Sequence, residues 1–323
     1  TVAQFLERWL SHIKTQVSPR TYRGYAEIVR RNLAPALGSV RLAKLRPEQI
    51  SEAYGKALVS GRRDGKGGLS AQTVKHTHKV LKQALTQACM WRAITHNPAA
   101  LVRPPKVERK EMQTVDTDQT ARMIEVARGT PIFIPILLGV LCGLRRGEIC
   151  ALRWRSVDLD AGHLSVVASI EEGRGGLREK EPKSGKGRLI ALPPMLVAEL
   201  RRHRMQQAEW SLKLGVRLAD DRHVVTKEDG ETMWPGSLGR AFRKFMRRHG
   251  LPQIRLHDLR HSHATHLLAA GVHPKIAQER LGHSNIGITL DLYSHVLPGM
   301  QQDAVARVDA VLQGAIDKRG TNG

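Results

Sequence analysis

The segment LHDLRHSHATH at residues 256–266 gathers four histidines and an arginine within eleven positions. It lies where helical patterns dominate, from residue 237 onward, and on a helix His257 and Arg260 share one face. The four histidines raise the question of zinc, but the glutamate of a metalloprotease helix is missing and no cysteine pair lies nearby. The segment therefore predicts a helix face that presents a cation beside an imidazole.

A second candidate lies upstream, just after an apolar helix. The helical run at 132–142 is broken at Gly143, and Arg145 follows two positions later. A charge placed there is costly unless it has an anionic partner. That partner is either a ligand or Glu148, which lies three positions on and would form a structural ion pair. The residue types alone leave both interpretations open.

Three shorter motifs add further reactive side chains. A basic turn between two predicted strands, at 181–188, holds Lys183 and Lys186; the common alternative for such a turn is a solvated surface. Residues 281–283 end in His283. Residues 291–295 carry Tyr293, the only tyrosine after Tyr54. The alternative is a structural role, because a lone tyrosine on a helix is usually a core or surface residue without a function.

Together these motifs form a cationic set with one phenol. From residue 257 to 295 the acidic residues are only Asp258, Glu279 and Asp291, too scattered for the carboxylate cluster that holds two metals in many nucleases. A site that grips an anion with arginine, lysine and histidine suits phosphoryl transfer in DNA, with tyrosine as the nucleophile.

The charge of the chain also indicates a nucleic-acid partner. Its 323 residues include 52 Lys and Arg against 30 Asp and Glu, a net charge of +22. Residues 1–110 alone hold 21 basic and 6 acidic residues, a net charge of +15. A solvated basic surface is the alternative, but this concentration of charge favours a polyanion. With 4% aromatic residues, no base-stacking platform for single strands is evident, so duplex DNA fits better.

Composition also predicts the compartment. Three cysteines do not make a disulfide framework, which favours a reducing cytosol, and the longest apolar run, 131–142, is shorter than the ~20 residues that span a bilayer. No signal peptide is evident. We expect a cytoplasmic protein with no membrane partner. Because the chain begins at Thr1 instead of methionine, we also expect an upstream segment to have been removed.

The pattern along the chain predicts two domains. In residues 1–100 an apolar stripe marks a first helix at 2–13, and three more helices begin after Ser18, at Pro47 and after Ser70. Prolines and mixed charges without periodicity predict a linker at 101–112.

The remainder of the chain mixes helices with short strands. In residues 113–298, strands are expected at 163–169, 188–192 and 223–226, with a long helix after the paired prolines at 193–194. A chain break at 298–299 precedes a short amphipathic tail helix within 299–323. The fold class is multi-domain: an all-α N-terminal domain, then a mixed α/β, mainly helical, domain.

The chain resembles the tyrosine recombinase (phage integrase) family over nearly its whole length. Four motifs match those of the family in order and spacing: those around Arg145, His257 with Arg260, His283 and Tyr293. The resemblance implies a core-binding domain at 1–100 and a catalytic domain at 113–298. The opening of the chain is similar to the start of the core-binding domain in integrases that have a separate upstream arm-binding domain. It implies a site-specific DNA recombinase that integrates or excises a mobile element through a 3′-phosphotyrosine intermediate. Such an integrase uses neither a cofactor nor a metal.

The resemblance also assigns roles at the phosphate. Arg145 and Arg260 would grip the scissile phosphate with their planar guanidinium groups and offset its developing charge. His283 would donate a hydrogen bond to the phosphate, and Glu148 would orient neighbouring groups.

The remaining roles concern nucleophilic attack and proton transfer. Tyr293 would attack phosphorus and free a 5′-hydroxyl. His257 would be its general base, since a phenol with a pKa of ~10 is little ionised at neutral pH. Lys183 would be the general acid for the leaving oxygen, with Lys180 and Lys186 as alternatives.

The partners implied are double-stranded DNA and further copies of the chain, a tetramer in the synaptic complex, in which the tail helix docks on a neighbouring protomer. Accessory DNA-bending or directionality factors are further partners that the resemblance implies.

Two other functions compete: a type IB topoisomerase-like enzyme that relaxes DNA as a monomer, and a DNA-binding module without catalysis. His257 and the tail favour the recombinase over the topoisomerase. An inactive module would lack at least one catalytic residue, whereas the sequence has the expected residue at every catalytic position.

Overall fold

The computed structural model describes residues 1–62, 64–108, 114–173, 175–181, 187–227, 229–287 and 289–290, and short helical pieces at 305–306, 308–310 and 312–313. The chain divides into two compact units, Thr1–Glu111 and Met112–Gly323. Each unit has its own apolar core.

All regular elements among the described residues of the first unit are helices. Its α-helices are α1 (Val2–Ile13), α2 (Pro19–Ile28), α3 (Ala34–Leu37), α4 (Pro47–Ser60) and α5 (Ala71–Met90). A π-helical turn at Val29–Leu33 joins α2 to α3, and two 3₁₀ turns lie at Leu42–Lys44 and Pro98–Leu101.

Local sequence signals set the helix starts in this unit. The side chains of Ser18 and Ser70 accept hydrogen bonds from the backbone N–H groups of Thr21 and Thr73, which caps α2 and α5. The six residues of the predicted stripe on α1 are all buried. The predicted starts of α2, α4 and α5 are confirmed.

Two features of this unit differ from the local pattern. The apolar periodicity through Leu33 predicts one continuous helix, whereas the N–H of Ala34 bonds to the carbonyl of Val29 in a π-turn that buries both Val29 and Leu33. In addition, Val102 is buried in the first core, beyond the predicted end of the helical domain at residue 100.

The second unit contains seven helices and five short strands among its described residues before residue 291. The helices are α6 (Thr117–Ala127), α7 (Phe133–Cys142), α8 (Arg146–Ala151), α9 (Pro194–Lys213), α10 (Pro235–Arg248), α11 (Asp258–Ala269) and α12 (Pro274–Leu281). The strands are β1 (Val157–Asp158), β2 (His163–Val166), β3 (Ser169–Gly173), β4 (Gly176–Lys180) and β5 (Arg188–Ala191), and a 3₁₀ turn lies at Trp154–Ser156.

The strands form two small antiparallel sheets. One has the order β1-β2-β5, with Leu164 opposite Ile190, and the other pairs β3 with β4. The predicted strands at 163–169 and 188–192 correspond to β2 and β5. The strand predicted at 223–226 is wrong: its apolar residues are buried in the core, but the segment makes only isolated bridges, from His223 to Arg153 and from Thr226 to Thr232.

The basic segment at 181–188 therefore connects two sheets. β4 pairs with β3 whereas β5 pairs with β2, so the strands on either side of this segment are not paired with each other. The predicted basic turn thus lies between strands of two different sheets and is not the tip of a hairpin. The segment ends at Arg188, the first residue of β5.

Candidate active site

Two helix ends in the second unit supply the frame of the candidate site. Gly143 directly follows α7 and Gly282 directly follows α12, and both glycines have a φ of +63°. This left-handed conformation favours glycine. A Cβ at position 143 would also lie 2.6 Å from Cδ2 of Leu281 and 2.7 Å from Cδ2 of His263, so the two helix ends pack closely.

Arg260, on α11, is held by both of these helix ends. Its Nη1 donates to the carbonyl of Gly143 at 2.6 Å, and its Nη2 donates to the carbonyl of Leu281. Carbonyls at helix C-termini carry partial negative charge, which stabilises a guanidinium there. The residue is 2% exposed, and burial, with the nearby charge of Arg145, lowers its pKa to about 9.

Arg145 meets the same end of α12. It precedes α8, its Nη2 donates to the carbonyl of Gly282 at 2.8 Å, and its Nη1 donates to Oε1 of Glu148 at 2.8 Å. Its side chain is 25% exposed. The ion pair with Glu148, predicted as the structural interpretation, is present. It leaves part of the Arg145 guanidinium open to a ligand.

Glu148 is the buried centre of this arrangement. Its carboxylate also accepts the backbone N–H of Arg145 at 2.9 Å and two bonds from Arg188, at 3.0 and 2.6 Å. Burial would raise the pKa of Glu148, but the hydrogen bonds and charge of Arg188 and Arg145 prevail and lower it to about 2. The carboxylate is therefore ionised at all ordinary pH values.

Sequence reasoning missed Arg188. It lies at the end of the predicted basic turn and the start of the predicted strand, yet its side chain is only 8% exposed and its Nε donates to the carbonyl of Arg280 at 2.9 Å. Its partner Glu148 lies 40 residues away in sequence. Periodicity carries no information about such a distant pairing.

The ion pairs of Glu148 make stability depend on pH. Its folded pKa lies below the ordinary value of 4.5, so its contribution is present above pH 4.5 and is lost as the pH falls towards 2. We expect Glu148→Gln to lose about 3 kcal/mol at pH 7, because Arg188 keeps a buried charge without a counter-ion. That corresponds to a Tm roughly 6–12 °C lower by scanning calorimetry.

The matched control is Glu179→Gln, which removes a more exposed carboxylate paired with Arg153. It should change stability by less than about 1 kcal/mol. The Tm difference between wild type and Glu148→Gln should narrow as the pH is lowered from 5 to 2. A difference that stays constant over this range would contradict the role given to the carboxylate.

His257 immediately precedes α11, and its ring packs edge-on against that of His261, with centroids 5.1 Å apart. Burial, together with the charges of His261, Arg260 and Arg145, lowers the pKa of His257 to about 4. The imidazole is therefore neutral at pH 7, which is the protonation state of a proton acceptor.

His283 directly follows Gly282. Its Nδ1 lies 2.9 Å from the hydroxyl oxygen of the buried Thr289, and burial with the charges of Arg260 and Arg145 lowers its pKa to about 3. If Thr289 donates to Nδ1, the neutral ring carries its proton on Nε2. The structure thus brings Arg145, Glu148, His257, Arg260 and His283 into one part of the unit.

Three predicted site residues lie outside the described residues: Lys183, Lys186 and Tyr293. Lys180, the alternative to Lys183, is the last residue of β4, and its ammonium pairs with the buried carboxylate of Glu171.

The histidines of α11 have separate neighbours. Nε2 of His263 accepts from Nε of Arg280 at 3.2 Å, while Nε2 of His266 lies 3.1 Å from the carbonyl of Val115. Within the described ranges, no three His, Cys, Asp or Glu side chains are grouped to hold a metal ion. None of the helices described is both long and apolar enough to cross a membrane.

This arrangement can bind an anion with two fixed guanidinium groups and two neutral imidazoles nearby. Arg260 and Arg145 are bonded to the carbonyls of consecutive residues, Leu281 and Gly282. Their positive charges repel each other. An anion bound between them is attracted by both guanidinium groups and relieves this repulsion.

Comparison with solved structures shows the fold. An integrase of the transposon Tn1549, in complex with transposon right-end DNA, superposes with a TM-score of 0.81 at 22% identity, covering 96% of this chain and 99% of that one. A lambda integrase dimer bound to a COC′ core site gives a TM-score of 0.68 at 19% identity, covering 90% and 94%. The two-part architecture, helical unit and mixed catalytic unit, is that of integrases.

Sequence relatives point the same way. A tyrosine recombinase XerC-like protein of Caldanaerobacter subterraneus subsp. tengcongensis is 28% identical, covering 94% of this chain and 82% of that protein. The tyrosine recombinase XerC of Xanthomonas axonopodis pv. citri is 31% identical over 71% of this chain and 69% of that protein. The model of the phage integrase N-terminal SAM-like domain matches residues 1–58, and that of the phage integrase family matches residues 113–299. Because the second match alone spans more than half of the chain, and the site at the ends of α7 and α12 lies within it, this chain belongs to the phage integrase family.

Proposed function

We propose that this chain is a site-specific DNA recombinase that cuts and rejoins strands through a 3′-phosphotyrosine intermediate, to integrate or excise a mobile element. The observation that carries the proposal is the pair of guanidinium groups, Arg145 and Arg260, fixed by the carbonyls that end α12. DNA supplies the anion, and the net charge of +15 on residues 1–110 supplies non-specific affinity for its backbone. A cytoplasmic location fits this substrate.

The phosphate side of the reaction falls to the described residues. Arg260 and Arg145 bind the non-bridging oxygens of the scissile phosphate and offset the charge that builds on them during attack. His283 donates from Nε2 to the same group. Glu148 orients Arg145 through the pair at 2.8 Å. Arg145, Arg260 and His283 thus hold the phosphate, and Glu148 supports them through Arg145.

Proton transfer falls to His257, Lys183 and Tyr293. The phenolic oxygen of Tyr293 attacks phosphorus and its proton passes to His257. The new bond between this oxygen and phosphorus forms as the bond from phosphorus to the 5′-oxygen breaks. The low pKa of His257 rises when the phosphate neutralises Arg145 and Arg260, whose charges help to lower it. Lys183 protonates the leaving 5′-oxygen. The reaction conserves a phosphoester bond, so rejoining needs no external energy.

The decisive experiment maps covalent attachment. The full chain is incubated with candidate attachment-site duplexes that carry a nick beside the cleavage position, so that the cleaved fragment diffuses away. A covalent adduct confined to one sequence supports the recombinase. Relaxation of any supercoiled plasmid, without sequence preference, supports the topoisomerase-like alternative. Binding without any adduct supports the inactive module.

We further propose that the tail carries the contact between protomers, in a tetrameric synaptic complex. Within the described pieces of the tail, Val305, Val308 and Leu312 are 57–69% exposed, although their spacing places them on one helix face. An exposed apolar stripe of this kind is stabilised when it packs against the surface of another molecule. A neighbouring protomer in a cyclic assembly offers one.

Truncation after Pro298 tests this contact. The shortened protein should stay folded and bind a single half-site, because the described core lies before that point, but it should lose synaptic complexes and recombination. Native gels with one half-site and with paired sites separate the two properties. A shortened chain that unfolds, or that assembles synaptic complexes as readily as the full chain, would refute the tether.

A further inference from the structure

Arg188 uses its whole guanidinium group inside the protein. Its Nη1 and Nη2 donate to the two oxygens of Glu148 at 3.0 and 2.6 Å, and its Nε donates to the carbonyl of Arg280 at 2.9 Å. The side chain is 8% exposed. Because its charge is paired with the carboxylate of Glu148, Arg188 is placed to hold other groups, whereas the bonds of Arg260 to Gly143 and Leu281 go to uncharged carbonyls.

What Arg188 holds is the carboxylate that orients Arg145. Each oxygen of Glu148 is shared: Oε1 accepts from Arg188 and from Nη1 of Arg145, and Oε2 accepts from Arg188 and from the backbone N–H of Arg145. The two-point bond from Arg188 fixes the plane of the carboxylate. Without it, the carboxylate could rotate about its last torsion and carry the Arg145 guanidinium with it.

Arg188 also fixes the part of α12 that bonds to the site. It donates to the carbonyl of Arg280, and its side chain packs against Gly282, where an added Cβ would lie 3.1 Å from Cδ of Arg188. The next two carbonyls, of Leu281 and Gly282, are those that hold Arg260 and Arg145. One side chain thus contacts both supports of the guanidinium pair.

We propose that Arg188 is a positioning residue for DNA cleavage, which acts on the scissile phosphate through Glu148 and Arg145. This inference rests on the proposed recombinase function. Arg188 also lies directly after the segment that carries Lys183 and Lys186. We assign its effect to the phosphate, through Glu148 and Arg145, and not to proton donation by these lysines.

The test compares Arg188→Gln with wild type in single-turnover cleavage of a nicked duplex by the full chain, at saturating protein. Adduct formation should slow about 10- to 100-fold, the effect of a small misplacement at a reacting centre, while half-site binding stays within about twofold. A second duplex carries a methylphosphonate at the scissile position. This neutral group removes the charge that Arg145 offsets, so the deficit of Arg188→Gln should shrink to below about threefold.

Two further variants separate positioning from general damage. Arg201→Gln removes an exposed arginine that is paired with Asp160 on the same unit, and it should cleave both duplexes like wild type. Arg188→Lys keeps the charge but cannot make the two-point bond, so it should show a smaller deficit with the same dependence on the substrate. If Arg188→Gln does not fold, Arg188→Lys carries the comparison.

Three outcomes would overturn the proposal. Wild-type rates in both Arg188 variants would show that Arg145 needs no such support. An equal deficit on both duplexes would show a general structural effect. Rescue by a 5′-bridging phosphorothiolate, whose sulfur leaves without a proton, would place the effect on the lysine side. Failure of wild type itself to form any adduct is a separate result, and it would remove the proposed function first.

Discussion

Tyr293→Phe is expected to bind its DNA half-site like wild type and to form no covalent adduct at all. The substitution removes only the phenolic oxygen, which is the atom proposed to attack phosphorus. No other tyrosine follows Tyr54 in the sequence, so no second phenol in the catalytic unit can replace it. Denaturing gels that follow a labelled nicked duplex measure the adduct, and gel-shift titration measures binding.

The matched control is Tyr25→Phe, which removes a phenolic oxygen in the first unit, where the ring stacks on Trp9. It should form the adduct at the wild-type rate. An adduct that persists in Tyr293→Phe would assign the nucleophile to another residue. Loss of DNA binding in the same variant would show that Tyr293 serves the fold.

Lys183→Ala should slow cleavage by about 100-fold or more, the usual contribution of a general acid. The alkoxide that leaves from the 5′ side is a poor leaving group until it is protonated. A duplex with sulfur at the 5′-bridging position should restore the rate of this variant, because a thiolate leaves without a proton. The measurement is the single-turnover rate on the oxygen and sulfur duplexes.

The same pair of duplexes distinguishes the three lysines. Lys180 is paired with the buried Glu171, which holds its ammonium at the end of β4, so Lys180→Ala should show no rescue by sulfur. Rescue in Lys186→Ala instead of Lys183→Ala would move the general acid three residues along the segment. Rescue in none of the three would remove proton donation from this segment.

Features that depend on neighbouring residues could be predicted from the sequence. The stripe on α1, the caps at Ser18 and Ser70 and the apolar helix before Gly143 all follow from spacing and residue type. Arg145 stands out because a charge beside an apolar run needs a partner, and Glu148 is one of the two partners that this reasoning predicts. Arg260 stands out because it shares a helix face with His257.

Features that depend on distant residues could not be predicted. Arg188 finds Glu148 and Arg280, which lie 40 and 92 residues away, and nothing local distinguishes it from the solvated arginines around it. β3 and β4 are rich in charged residues, so their pattern does not stand out as that of strands. The segment at 223–226 has the opposite property: Val224 and Val225 are apolar and buried, but its backbone pairs with other strands only at isolated bridges.

The carbonyls that hold Arg145 and Arg260 have a consequence for substitution. A side-chain anchor is lost when one residue is replaced, whereas the carbonyls of Gly143, Leu281 and Gly282 belong to the main chain and remain under any replacement. Leu281 can therefore change its side chain without removing the acceptor of Arg260, provided that the helix still ends there. The two glycines cannot change so freely, because the left-handed turn that aims these acceptors depends on them. The proposed binding of the phosphate therefore depends on the backbone shape of two helix ends, and in the sequence this shape is visible only as two glycines.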